Sequence, residues 1–203
     1  SRLPRLQRSD GVLIGGRNGV VRQSSQGMID PYPVHARLPV NDITVIAEES
    51  PGILWLGTKR GAIRYDEASE EIQYFAGQRW LPADDVTAIG FSNDAGGPSI
   101  WIETPKGFSR IVYQRITLAE KARRFEERVR SRHDRHGLTA SSHLRRPGDL
   151  SSNQTVSSDN DGLWTAMYVA AESFRFKVTG SSEARDYARR GMQAIIRLEA
   201  ITG

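Results

Sequence analysis

Three groups of side chains in this 203-residue sequence have the types and spacing that chemistry needs. His133-Asp134-Arg135-His136 sets two imidazoles three residues apart, close enough on one helical turn to share a metal or to flank an acidic ligand. The segment offers no further ligand of its own, so an exposed, basic helix end is the alternative and no metal is assigned. Asp159-Asn160-Asp161-Gly162 has the acidic opening of a calcium loop, but Tyr168 stands where such a loop needs its bidentate glutamate. A helix N-terminal cap accounts for Asp159 and Asp161 as well, since carboxylates are favoured at the positive end of the helix dipole. In the third group Trp164, Tyr168 and Glu172 recur every four residues. They climb one side of a helix whose first turn carries Asp161.

The elements that would hold these groups are helical. Leu118, Ala122, Phe125 and Val129 make an apolar helix face, opened by a Thr117–Glu120 capping box and fading between Arg132 and Gly137. Residues 116–137 are therefore expected as a basic connecting helix with pairs such as Glu126–Arg130, and the serine-rich residues 138–158, including Pro147-Gly148, as a loop. Residues 159–203 read as a helical hairpin ending at Gly203. Leu163, Trp164, Met167, Tyr168, Ala171, Phe174 and Val178 form one stripe, Gly180 ends that helix, and Ser181 or Ser182 caps the next. The second helix presents Ala184, Tyr187, Ala188, Gly191, Ile195 and Leu198, with Gly191 marking a close helix approach. In this reading Trp164 and Tyr168 belong to the core and Glu172 to the surface; the alternative makes all three a site.

Ahead of Tyr113 the periodicity is different. Leu38, Pro39, Asp42, Thr44 and Ile46 return as Leu81, Pro82, Asp85, Thr87 and Ile89, a constant shift of 43. Leu54-Trp55-Leu56 before Gly61 returns as Ile100-Trp101-Ile102 before Gly107, and more weakly as Val12-Leu13-Ile14 before Gly19. Three extra residues in the last copy fit a turn between Asn93 and Pro98. Short apolar strands punctuated by Gly and Pro at this period describe propeller blades of four antiparallel strands. Gln73-Tyr74-Phe75 would be an outer strand, and Trp55 and Trp101 would fill the space between neighbouring blades.

The runs Leu38-Pro39-Val40-Asn41-Asp42-Ile43-Thr44-Val45-Ile46 and Gly52-Ile53-Leu54-Trp55-Leu56-Gly57-Thr58-Lys59-Arg60-Gly61 resemble the two-component regulator propeller repeat. The last copy departs from that pattern at Glu103, and the first at Leu13 and Gly16. The resemblance covers residues 1–115 and implies an extracytoplasmic sensor or glycan-binding propeller of a bacterial signalling protein, without catalysis. The block from Asp159 to Tyr168 resembles a helix start in the (α/α) toroid domains of glycoside hydrolases and polysaccharide lyases. That resemblance implies Asp161 or Glu172 as acid or base, with an aromatic ring such as Trp164 or Tyr168 stacking on a sugar.

The fold class expected is thus an α+β multidomain fragment: about two and a half incomplete propeller blades followed by an α-helical region. A hydrophobic content of 38% suffices for a core, and the absence of cysteine excludes disulfides and thiolate metal sites. No segment approaches the roughly twenty apolar residues of a membrane span. The start at Ser1 falls partway through a blade, so the remainder of a longer chain is expected as a partner. Between Arg115 and Arg146 ten Lys or Arg face four Asp or Glu, with His133, His136 and His143 in addition. Such a patch attracts polyanions. Without aromatic interleaving it argues against nucleic acid; an oligosaccharide or another polyanionic ligand is expected, met by Arg135, His136, Asp159, Trp164 and Tyr168. No cofactor is implied.

Overall fold

Alternating apolar residues in the first half of the chain make strands, because successive side chains of an extended backbone point to opposite faces. The computed structural model describes residues 3–94, 97–146 and 148–202, and the chain divides into two compact units, Ser1–Gln114 and Arg115–Gly203. It is an α+β molecule. Among the described residues no helix is long and apolar enough to cross a membrane.

The first unit is built of antiparallel sheets whose strands follow one another in chain order. β1 (Arg5–Arg8), β2 (Gly11–Gly16), β3 (Gly19–Gln23) and β4 (Ile29–Pro31) form the first. β5 (Ile43–Ser50), β6 (Ile53–Thr58), β7 (Gly61–Asp66) and β8 (Glu71–Phe75) form the second, which includes the expected outer strand. β9 (Ala88–Asp94), β10 (Gly97–Thr104) and β11 (Gly107–Val112) form the third. The repeat glycines Gly19, Gly61 and Gly107 all have positive φ, where a side chain would be strained. The inserted turn expected between Asn93 and Pro98 contains residues 95–96, which lie outside the described residues, as do Pro147 and Gly203.

Two apolar layers separate the sheets. Leu13, Val20, Ile46, Leu54, Leu56 and Ile63 fill the first, and Trp55, Phe75, Leu81, Val86, Ile100 and Ile102 the second. The central strand β6 therefore buries both faces: Leu54 and Leu56 on one, Trp55 on the other. Trp55 is fully buried, stacks on Phe75 at 5.4 Å and donates its Nε1–H to Glu49 at 2.8 Å. Trp101 departs from expectation. It is 39% exposed because no further sheet covers that face among the described residues, and Arg110 lies over its ring instead.

Backbone bonds join consecutive repeats. The Gly19 N–H donates to the Asn41 carbonyl at 2.8 Å, and the Gly61 N–H to the Asp84 carbonyl at 2.8 Å. Each Leu-Pro segment thus returns to the hairpin of the sheet before it.

The second unit starts with α1 (Leu118–Arg128), whose Thr117–Glu120 capping box forms as the sequence requires. The helix ends earlier than expected, in one π turn over Val129–His133. The Asp134 carboxylate accepts the Gly137 N–H at 2.9 Å, and His136 and Gly137 both take positive φ. This two-residue turn joins β12 (Asp134–Arg135) to β13 (Leu138–Thr139). The stretch read as a loop over 138–158 holds a second hairpin, β14 (Ser141–Leu144) with β15 (Asn153–Val156). Its serines lack the apolar alternation that reveals strands.

α2 (Asp161–Thr179) and α3 (Ser182–Thr202) complete the unit. Gly180 ends α2 at φ 70°, and the Ser181 hydroxyl caps α3 through the Ala184 N–H. At Gly191 an added methyl would stand 2.7 Å from Val169, which is the close approach read from the sequence. The expected stripe of α2 is reversed. Asp161, Thr165, Val169 and Glu172 are its buried residues, while Leu163, Trp164, Met167, Phe174 and Val178 are exposed.

Candidate functional site

The sequence-derived residues fall into two clefts of the second unit. Arg135, His136, Asp159 and Asp161 line one of about 540 Å³, together with Gly162, Ala194 and Arg197. Arg135 is placed by β12, and His136 by the hairpin turn rather than by a helix. His133 and His136 therefore do not share a helical turn; the His133 ring meets the Ala140 carbonyl at 2.9 Å. No group of three metal-ligating side chains occurs among the described residues.

Asp161 is nearly enclosed, and its oxygens accept the Ser158 N–H at 3.2 Å and the Ser158 hydroxyl at 2.9 Å. Arg135 reaches the same carboxylate at 3.4 Å. Ser158, rather than Asp159, closes the turn into α2, since its hydroxyl also accepts the Asn160 N–H. These contacts tie the Asp161 carboxylate to the turn into α2 and to β12. Two cations, Arg135 and Arg197, and two carboxylates, Asp159 and Asp161, line the cleft.

The second cleft, of about 900 Å³, lies between α1 and the α2–α3 hairpin and is lined by Glu126, Arg130, Glu172, Arg175, Glu183 and Tyr187 among others. Tyr168 donates its hydroxyl to Glu126 at 2.5 Å. Arg175 Nη1 stands 3.6 Å from Glu126 Oε2 and 3.0 Å from Glu172 Oε2, while its Nη2 stands 2.5 Å from Glu183. The contact to Glu172 is an ion pair without hydrogen-bond alignment. Burial, then the charge of Glu126, push the Glu172 carboxyl up to about 7 against the pull of Arg175. The Tyr168 hydroxyl is also pushed up, first by burial and then by Glu126. Two carboxyls side by side, one of them pushed up, have the composition of an acid–base pair.

The ladder expected along one side of α2 is thus divided. Asp161 lines the first cleft and Glu172 the second, Tyr168 reaches the second only through its bond to Glu126, and the half-exposed Trp164 lines neither. The expectation of a surface Glu172 is overturned: only 4% of it is exposed. Glu126 and Arg175 carry no signal beyond helical spacing. Glu126 turns to Tyr168 and Arg175 rather than to Arg130, which donates to Asp134 at 2.5 Å. The Glu172–Arg175 spacing of three on one helix is the one hint the sequence gives.

The first unit holds a further charged group that sequence reading missed. Arg8 and Tyr32 both donate to Glu67, across the first and second sheets. Burial raises the Glu67 carboxyl, but these two donors outweigh it and hold the group below the usual carboxylate range.

No family model matches the chain, and no curated protein matches it. Among solved structures it is similar to the extracellular domain of the hybrid two-component system BT3049 from B. thetaiotaomicron, at 27% identity over 54% of this chain, with a TM-score of 0.43. It is also similar to the extracellular domain of BT4673 from the same organism, at 22% identity over 57% of this chain and the same TM-score. The chain spans only 15% and 16% of the length of those two structures.

Proposed function

We propose that the first unit is a set of two-component-regulator-type propeller blades serving as the extracytoplasmic, non-catalytic input of a signalling protein. One repeated pattern carries this reading. The Thr58 hydroxyl donates to the Gly61 carbonyl at 2.8 Å and accepts the Arg60 N–H at 3.0 Å; Thr104 does the same with Gly107 and Lys106 at 3.0 and 3.3 Å. The Thr-x-x-Gly hairpin is thus one structural unit used twice, as blades require. An image of the complete gene product tests the architecture: sheets set radially around a channel are expected, and any other arrangement overturns it.

The ligand proposed is an acidic oligosaccharide. Arg135, His136 and Arg197 gather on one rim beside Asp159, and the Trp164 indole offers an open face one helical turn away for stacking on a sugar ring. Calorimetry of the complete gene product against acidic and neutral oligosaccharides tests this. Saturable binding of an acidic member, weakened at least tenfold by Arg135→Ala, is expected; silence across the panel overturns it.

A second reading, a carbohydrate-active enzyme, draws on the Glu126–Glu172 pair in the larger cleft. Polysaccharide turnover by the complete gene product that is abolished by Glu172→Gln supports it. Absence of turnover, or turnover unchanged by the substitution, removes Glu172 from contention.

A further inference from the structure

α1 is joined to its neighbours almost entirely by polar groups. None of its residues is buried, and Leu118 is 85% exposed, so packing contributes little to holding it. It forms one wall of the larger cleft. Among the described residues, Glu126 is the one α1 side chain that hydrogen-bonds or ion-pairs with α2 or α3, through Tyr168 and Arg175. The far end is fixed differently. There α1 runs into the π turn, which is tied to the hairpins by the Asn153 side-chain N–H to the Arg132 carbonyl at 3.1 Å and by the His133 ring to Ala140. Single π turns in helical segments are frequent at functional positions.

The latch is unbalanced in charge. Three carboxylates, Glu126, Glu172 and Glu183, converge on the single guanidinium of Arg175. Arg130 is committed to Asp134 and lies over the Tyr187 ring at 4.4 Å. With all three carboxylates ionised, Glu126 and Glu172 repel each other across the cleft. A proton on the buried Glu172 removes that repulsion.

We propose that α1 is an arm hinged at Val129–His133 and latched through Glu126, closed while Glu172 carries a proton and released when that proton leaves. The groups sharing the cleft or the charge of Glu172 are Arg123, Glu126, Glu127 and Arg130 from the α1 side, Tyr168 and Arg175 on α2, and Glu183 and Tyr187 on α3. Both tyrosines are pushed above their ordinary range and stay neutral throughout. The closed form holds the Glu172 proton more tightly than the released form, whose carboxyl returns toward its ordinary value of 4.5. Closure is therefore fully favoured below that value and lost as the pH rises through about 7.

The chain has no cysteine, so Leu118→Cys and Val178→Cys, both at exposed positions, give a unique pair for nitroxide labels. Pulsed electron-spin distance measurement at about pH 5.5 and about pH 8.5 then reads the arm directly. A narrow distribution at the lower pH and a broad one at the higher are expected. In that labelled background Glu172→Gln keeps the distribution narrow at both, and Glu126→Ala broadens it at both. Tyr168→Phe, which changes no charge, broadens it at the lower pH. A distribution in the labelled parent chain that does not respond to pH, narrow or broad, overturns the proposal. So does broadening that persists in Glu172→Gln or is missing in Tyr168→Phe.

Discussion

The two units bury opposite kinds of residue. Between the sheets of the first unit the interior is Leu, Ile, Val and Trp, whereas the inward face of α2 presents Asp161, Thr165, Val169 and Glu172 and leaves Leu163, Met167 and Phe174 outside. A strand in a stacked sheet has only two faces, and the repeat supplies a neighbour whose own strands carry the matching pattern. A helix can turn any face inward. Here the small residues Ala184, Gly191 and Ala194 of α3 draw α2 close, and close approach selects side chains that hydrogen-bond backbone, such as Thr165, which accepts the Thr139 N–H at 2.8 Å. Apolar patterning predicts burial where geometry leaves no choice of face, and loses that power where a helix has several candidate neighbours.

The sharpest way to break this comparison is to truncate the two repeat tryptophans. Trp55→Ala should cost about 3–5 kcal/mol in chemical denaturation because it empties a fully buried, stacked position. Trp101→Ala at the equivalent position should cost under about 1 kcal/mol. Equal effects would show that the repeat position, rather than the covering sheet, sets the energetics.

In the helical unit the polar face should behave as the core. Thr165→Val leaves the part-buried Thr139 N–H without its acceptor and should destabilise by about 1–3 kcal/mol. Gly191→Ala forces a methyl against Val169 and should cost about 1–2 kcal/mol net, after about 1 kcal/mol of helix propensity is regained. Val169→Ala in the same chain should relieve most of the strain, which a double-mutant cycle measures.

The charged group of the first unit sharpens the contrast through pH. Glu67 is held below its usual range, so its contribution is present above the unfolded carboxylate value and is lost as the pH falls through the lower folded value. Glu67→Gln should remove about 1 kcal/mol at neutral pH, discounted for partial exposure, and flatten that acid limb of the stability curve. Smallest of all, Phe174→Gln on the outward face of α2 should change stability by less than about 0.5 kcal/mol while reducing self-association in light scattering.

Much of the fold was legible beforehand. The repeat placed the strands around Ile43 and Leu54, the Thr117–Glu120 box placed the start of α1, and Gly180 and Gly191 placed the end of one helix and the contact of the next. The β14–β15 hairpin was hidden because Ser141, Ser142 and Thr155 carry no apolar alternation. The early end of α1 was hidden because His136 at positive φ is a feature of the turn and not of helical periodicity. Of the site, the grouping of Arg135 with His136 follows from adjacency, but their meeting with Asp159 and Asp161 depends on where β12 comes to lie beside α2.

What the sequence determined by itself was local and periodic: the repeated strands, the glycine turns, the start of α1 and the end of α2, all fixed by backbone preferences and by alternation over a few residues. Which face of α2 turns inward, whether Trp101 is covered, and which carboxylates share Arg175 were decided by the tertiary structure alone. The physical reason is range. A turn or a cap balances groups within about four residues, whereas the Glu126–Tyr168 bond joins residues 42 positions apart, and its existence depends on how whole elements pack.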